Sequence, residues 1–81
     1  MGLDAVEIVM QLEEAFGIEL SDAAMDSKTV GELSEHISGQ VENYEPDTVW
    51  QIVQRVVAES LNIPLAEVRP DSRWVEDLLV D

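Results

Sequence analysis

Apolar residues near the start of the chain recur at every third or fourth position, with acidic and amide side chains between them. This spacing is typical of an amphipathic helix that buries one face. The apolar stripe consists of Ala5, Ile8, Val9, Leu12, Ala15 and Phe16. Gly17 follows directly, and glycine readily adopts the left-handed conformation with which many helices end. The pattern therefore predicts a helix over residues 3–16.

A polar connector over residues 18–28 separates this helix from a shorter one, and residues 21–25 within it are compatible with a single helical turn. Thr29 and Glu32 have the spacing of a capping box, in which each side chain satisfies a free backbone N–H at the helix start. The apolar face of the short helix consists of Val30, Leu33 and Ile37. Gly39 is expected to end this helix.

The stretch over residues 39–46 is polar and contains glycine and proline, so it is predicted to be a linker. A further helix should follow it. Asp47 or Thr48 is expected to cap that helix, and Gln51 has the right spacing to complete a second capping box with Thr48. Its apolar stripe consists of Val49, Ile52, Val53, Val56, Val57 and Leu61.

Asn62 and Pro64 are expected to end this helix, and Pro70 interrupts the segment that follows. Residues 72–78 are compatible with a turn or two of helix. The apolar anchors of this part are Trp74, Val75, Leu78 and Leu79. Because no part of the chain shows the alternation of a β-strand, the sequence predicts an all-α, three-to-four-helix bundle in a single domain.

Charge and composition narrow the classes of function. The 81 residues carry a formal net charge of −14 and contain no cysteine. Such a charge repels phosphate backbones and anionic membranes, so neither nucleic acid nor a membrane is an expected partner, whereas basic protein patches would be attracted. No apolar run approaches the roughly 18 residues of a membrane span and no signal peptide is evident, which predicts a cytoplasmic location.

Few side chains could carry out chemistry. His36 is the single histidine, no cysteine could join it in a metal site, and no serine stands beside an obvious base. The sequence therefore predicts neither an enzyme nor a metal centre. Trp74 is interpreted as a core anchor. Met10 lies at the edge of the first apolar stripe, where core packing is the favoured interpretation and an adaptable protein contact is the alternative.

The two ends of the chain carry a resemblance when they are placed in the opposite order. Joined through one serine, "VEDLLVD" and "LDAVEIVMQLEEAFGIEL" resemble acyl carrier proteins around their modification site. The resemblance covers nearly the whole chain except the linker. It implies a circularly permuted order: residues 1–38 are similar to the second to fourth helices of the family, residues 39–46 form a linker, and residues 47–81 are similar to the first helix and its long loop.

The resemblance also implies what is missing. In the family, the serine between these segments carries 4′-phosphopantetheine, on whose thiol the acyl chain is held. Gly2 stands at the serine position, and Leu3 and Asp81 correspond to its neighbours. Ser27 and Ser72 also follow aspartate, but neither has the leucine and the helix start that belong to the motif. No prosthetic group is therefore expected on this chain.

Two further sets of residues follow from the resemblance alone. The surface that would meet basic patches of carrier-dependent synthases and transferases consists of Leu3, Asp4, Val6, Glu7, Met10, Glu13 and Glu14. The interior that would hold an acyl chain consists of Ala5, Leu12, Val30, Leu33, Trp74 and Val75. Leu79 and Val80 stand where the family often has glycine and alanine.

The sequence leaves several functions open. The favoured one is an inactive permuted carrier that keeps the fold and the acidic docking helix. The first alternative is a domain-swapped dimer, in which residues 3–38 of one copy pack on residues 48–81 of another. The second is a decoy module that occupies docking sites for carrier proteins. The sequence does not distinguish fatty acid from polyketide biosynthesis, nor a monomer from a swapped dimer.

Overall fold

The computed structural model describes residues 3–78, without the side chains of residues 3–5. It contains helices α1 to α4 and a short 3₁₀ turn, and the predicted all-α class is confirmed. In chain order these elements are α1 (Leu3–Phe16), α2 (Asp22–Met25), α3 (Val30–Gln40), α4 (Pro46–Leu61) and the 3₁₀ turn (Leu65–Glu67).

Helix α1 begins and ends where the apolar period predicts. Gly17 has a φ of 67°, and its N–H donates to the carbonyl of Glu13 at 2.8 Å. The N–H of Ile18 donates to the same carbonyl at 3.1 Å. Gly17 therefore ends the helix in the left-handed conformation, as predicted.

The capping box at the start of α3 is half confirmed. The Thr29 hydroxyl accepts from the N–H of Glu32 at 3.1 Å. The Glu32 carboxylate accepts from the N–H of Lys28 at 2.8 Å, one residue before the donor that a capping box uses. The helix start is thus satisfied by the predicted pair of side chains, one of them bonded to a different N–H.

The prediction that Gly39 ends α3 is wrong, because the helix continues to Gln40 and Val41 caps it. The Gln40 side chain explains the longer helix, since its amide donates to the carbonyl of Glu19 at 2.8 Å and fastens this end of α3 to the connector. Val41 is buried, and the rings of Tyr44 and Phe16 pack in a T-shaped arrangement with centroids 5.5 Å apart. The linker between α3 and α4 is therefore residues 41–45, shorter than the predicted 39–46.

The start of α4 also differs from the prediction. The helix begins at Pro46, and neither Asp47 nor Thr48 caps it. Proline has no N–H to satisfy, and its fixed φ suits the first helical position. The helix therefore begins two or three residues earlier than predicted, with Glu45 as the N-cap residue and no side-chain capping bond.

Helix α4 forms the centre of the bundle, because it packs against both α1 and α3. Val49, Val53 and Val57 on its inner face are completely buried. The core they join is formed by side chains of the other elements: Ile8, Leu12, Phe16, Ala24, Val30, Leu33, Ile37, Val41 and Val68. Within residues 3–78, no helix has both the length and the apolar character needed to cross a lipid bilayer.

The segment after the 3₁₀ turn, residues 69–78, lies along the start of α3. The N–H of Val30 donates to the carbonyl of Ser72 at 3.0 Å, and that of Gly31 donates to the carbonyl of Pro70 at 2.8 Å. The N–H of Trp74 donates back to Lys28 at 3.2 Å. The segment thus satisfies backbone donors that the first turn of a helix would otherwise leave free.

Residues 72–78, for which the sequence allowed a turn or two of helix, form one hydrogen-bonded turn and no regular helix. The N–H groups of Asp77 and Leu78 both donate to the carbonyl of Arg73, which closes a single turn. Earlier donors in this stretch are engaged elsewhere, since the N–H of Trp74 bonds to Lys28. The helical ladder therefore does not propagate.

Asn62 ends α4 in the left-handed region, with φ 57° and ψ 48°. Asn62→Ala should lower the free energy of unfolding by about 1 kcal/mol, because a Cβ without a polar side chain is disfavoured there. Asn62→Gly is the control and should leave stability unchanged or slightly raised. Urea unfolding of the three proteins gives the comparison, and equal stability of the alanine and glycine variants would contradict this account.

Candidate functional site

The outward face of α1 combines acidic and apolar side chains. Glu7 and Glu14 are exposed, Val6 is 42% exposed and Met10 is 56% exposed. The core-packing interpretation of Met10 is therefore wrong. An exposed methionine among carboxylates has the flexible, polarisable character of an adaptable protein contact.

Ion pairs do not neutralise this face. In the described part of the chain, the ion pairs fall within residues 69–77. The exposed carboxylates of α1 therefore act together with the net charge of −14 as an attractive field for cationic surfaces.

Glu13 has a different position from its acidic neighbours. Its carboxylate is partly buried and accepts a hydrogen bond from the N–H of Leu20 at 2.9 Å. The predicted partner-binding residue thus holds the connector against α1. The prediction for Asp4 concerns a side chain that is not described.

The predicted acyl-chain residues fall into two groups. Leu12, Val30 and Leu33 are buried in one core, and Trp74 is partly buried against it. Val75 is 65% exposed, so the structure contradicts its placement in the interior. The turn closed on Arg73 places Val75 at the surface. The side chain of Ala5 is not among those that the structure describes. Of the residues predicted at or beside the attachment position, Gly2 and Asp81 lie outside the described residues, and Leu3 is described by its backbone alone.

Sequence reasoning missed Val68, which is fully buried. It lies in an irregular segment where no apolar period exists to reveal it. Gln54 of α4 supports this segment, since its side-chain amide donates to the carbonyls of Leu65 at 3.0 Å and Val68 at 2.9 Å. The polar Gln54 stands next to the buried valines of α4 in the sequence, and this is the signal that could have indicated a side chain that bonds the following segment.

The two serines that follow aspartate are poorly placed to be esterified. Ser72 is 1% exposed, and its hydroxyl accepts from the N–H of Arg69 at 2.9 Å and donates to the carbonyl of Glu67 at 3.3 Å. The hydroxyl oxygen of Ser27 is buried and has no hydrogen-bond partner. Neither Asp-Ser pair therefore fits a phosphopantetheine arm, whose attachment requires an accessible hydroxyl.

In the turn over residues 73–77, hydrogen bonding shifts the pKa values of Arg73 and Asp77. The backbone N–H of Arg73 donates to the carboxylate of Asp77 at 2.8 Å, which lowers the pKa of Asp77 below its ordinary value. The side chain of Arg73 adds a bond at 3.4 Å, and this bond with Asp77 raises the pKa of Arg73. Both effects favour the ionised forms and hold the turn closed.

The Asp77 carboxylate should make this turn sensitive to acid. A group whose pKa is lowered by folding stabilises the folded form above its unfolded pKa, about 3.9 for aspartate, and loses that effect as the pH falls through the lower folded value. In a pH titration followed by ¹H–¹⁵N spectra, the Arg73 amide should shift with a midpoint below 3.9. Asp77→Asn should abolish the shift. A midpoint at or above 3.9 in the unaltered protein would contradict this assignment.

Comparison with known proteins adds one match. Residues 3–37, which span α1 to most of α3, match the protein-family model described as "Phosphopantetheine attachment site". No solved structure matches the chain. Phosphopantetheine-binding carrier domains are not catalytic themselves, which agrees with the prediction of no enzymatic activity. The match over α1 to α3, together with the small helical bundle, supports a phosphopantetheine-attachment carrier domain.

Proposed function

We propose that this chain is a carrier-type domain in circularly permuted order, which is not itself loaded with phosphopantetheine and retains an acidic docking helix. The observation that carries the proposal is the position of α4. The family match covers residues 3–37, yet the core opposite α1 and α3 comes from α4, later in the chain.

The short linker supports the permuted order. Residues 41–45 lead directly from the end of α3 to the start of α4. In an unpermuted carrier, the end of α3 and the start of α4 would be the two free termini. A linker this short requires those two helix ends to lie close together, since an extended residue spans about 3.5 Å. The segment over residues 69–78 then packs on the start of α3, where the long first loop of a carrier would return to the bundle.

The absence of loading is tested by intact mass. The chain is incubated with a phosphopantetheinyl transferase and coenzyme A, and an unrelated carrier with its attachment serine serves as the positive control. We expect the mass of this chain to stay unchanged, because both Asp-Ser pairs have buried hydroxyl groups. A gain of one phosphopantetheine on this chain, with the control loaded, would overturn the proposal.

The docking helix is supported by the exposed face of α1. Exposed charge pairs contribute little affinity each, but they raise association rates and set orientation. Binding to a carrier-dependent acyltransferase should therefore weaken with salt. It should also weaken in Glu7→Gln and Glu14→Gln, whereas Glu59→Gln on α4 is a matched control expected to bind unchanged. If all three substitutions weakened binding equally, the binding would depend on the net charge of the protein and not on the face of α1.

The alternative of a swapped dimer has less support. A swap hinge must open the linker, but Val41 is buried and Tyr44 is held against Phe16. We therefore expect a monomer by light scattering. A monomer that docks without being loaded would compete with functional carriers for their enzymes, so the decoy function follows from the same proposal.

A further inference from the structure

A groove of about 450 Å³ lies between α3 and the start of α4, and Pro70 borders it. Its α3 side includes Gly31, Glu35 and Gly39, and its α4 side consists of Pro46 and Trp50. None of the lining residues belongs to α1. The groove is therefore a surface distinct from the acidic docking helix.

The groove is lined by an indole, a carboxylate, two proline rings and the serines Ser34 and Ser38, besides the two glycines. Trp50 and Glu35 both line the groove, Trp50 being partly buried and Glu35 exposed. No lysine or arginine lines the groove, and Glu35 takes part in none of the ion pairs found within residues 3–78. A carboxylate and an aromatic ring in one groove form a combination that attracts a cation, by charge pairing and by the cation–π interaction.

We propose that this groove binds an arginine side chain presented by a partner protein, with the guanidinium between Trp50 and Glu35. Charge complementarity selects a cation, because a net charge of −14 opposes any anionic ligand. Arginine fits better than lysine, since its planar group stacks on aromatic rings and bonds carboxylates in a bidentate manner. Gly39, where an added Cβ would meet nothing within 4 Å, leaves room beside the guanidinium for the residues that flank the arginine.

This inference goes beyond the proposed function and is tested separately from it. The probe is the blocked tripeptide Ac-Ala-Arg-Ala-NH2, and its matched control replaces arginine with citrulline, which has nearly the same shape and no charge. Each peptide is titrated into the whole chain at low salt, and the Trp50 indole N–H and the Glu35 amide are followed in ¹H–¹⁵N spectra. The Trp50 indole signal is assigned by its loss in Trp50→Leu.

The expected result is saturable binding of the arginine peptide, about five- to twentyfold tighter than that of the citrulline peptide. Glu35→Gln should weaken the binding about two- to fivefold. Trp50→Leu, checked for folding by circular dichroism, should weaken it by a similar factor. Glu14→Gln on α1 removes the same charge away from the groove and should leave the affinity unchanged.

Three outcomes would overturn the inference. Equal binding of the citrulline peptide would show that the groove recognises apolar or amide surface instead of the cation. Equal weakening by Glu14→Gln and Glu35→Gln would reduce the effect to overall charge. Shifts that do not saturate, or that fall outside the groove, would mean that no arginine site exists there. None of these outcomes depends on phosphopantetheine loading or on docking through α1.

Discussion

Replacement of Gly31 by alanine is expected to destabilise the protein by about 2 kcal/mol, although glycine-to-alanine changes inside helices usually stabilise. A Cβ at this position would lie 2.6 Å from the carbonyl oxygen of Pro70 and 3.1 Å from its carbonyl carbon. Backbone atoms cannot turn aside as the end of a flexible side chain can. The segment over residues 69–78 must therefore move away from α3.

That movement breaks two backbone hydrogen bonds. The N–H of Gly31 donates to Pro70 at 2.8 Å, and the N–H of Val30 donates to Ser72 at 3.0 Å. Losing both bonds costs about 2 kcal/mol, at about 0.5–1.5 kcal/mol each, and the strain left after the segment has moved costs about 1 kcal/mol, against a gain in helix propensity of about 0.5–1 kcal/mol. The balance is a loss of about 2 kcal/mol, which for a chain of this size lowers Tm by roughly 8–16 °C.

Gly39→Ala is the matched control in the same helix. A Cβ there meets nothing within 4 Å, and Gly39 is not among the residues with positive φ. We expect a gain of about 0.5 kcal/mol from helix propensity alone. Thermal unfolding should therefore show a lower Tm for Gly31→Ala and a slightly higher Tm for Gly39→Ala than for the unaltered protein. If Gly31→Ala were as stable as Gly39→Ala, the close approach of Pro70 to α3 would be refuted.

Leu12→Ala is expected to have the largest effect on stability, a loss of about 3 kcal/mol. Leu12 is completely buried in the core between α1 and the other helices. Truncating a closely packed leucine removes its transfer free energy and leaves a cavity that the neighbours fill only in part. Urea unfolding should show a lower midpoint with an unchanged slope.

Met10→Ala provides the comparison on the same helix. Met10 is 56% exposed, so its truncation should change stability by less than about 0.5 kcal/mol. The pair also examines the predicted acyl-chain interior, because a leucine that lined empty space would lose few contacts when shortened. A cost for Leu12→Ala below about 1 kcal/mol would indicate a preformed cavity instead of a closely packed core.

The long helices could be predicted because their apolar residues repeat with the helical period over three or more turns. Helix α1 matches its predicted bounds, and Val49, Val53 and Val57 of α4 are buried as the stripe requires. The helix ends were harder, because they depend on tertiary partners. Gln40 extends α3 through a bond to Glu19, a contact that no local pattern contains.

The candidate site could be predicted in part. Periodicity put Glu7 and Glu14 away from the face that buries Ile8 and Leu12, whereas the docking role of that outer face came from the resemblance alone. The separate position of Glu13 could not be predicted, because it depends on how the connector folds back to place the N–H of Leu20 beside the carboxylate. Val75 was misplaced for a related reason, since its exposure depends on a turn in an irregular segment.

The linker over residues 41–45 has a consequence for the integrity of the chain. It joins residues 3–40 to α4. Residues 3–40 do not form a complete core by themselves, because α4 covers the buried faces of α1 and α3. A single proteolytic cut there would turn one protein into two fragments that must find each other. The linker now holds the halves together at an effective concentration of order millimolar or higher, so a nicked protein would separate on dilution where the intact chain stays folded.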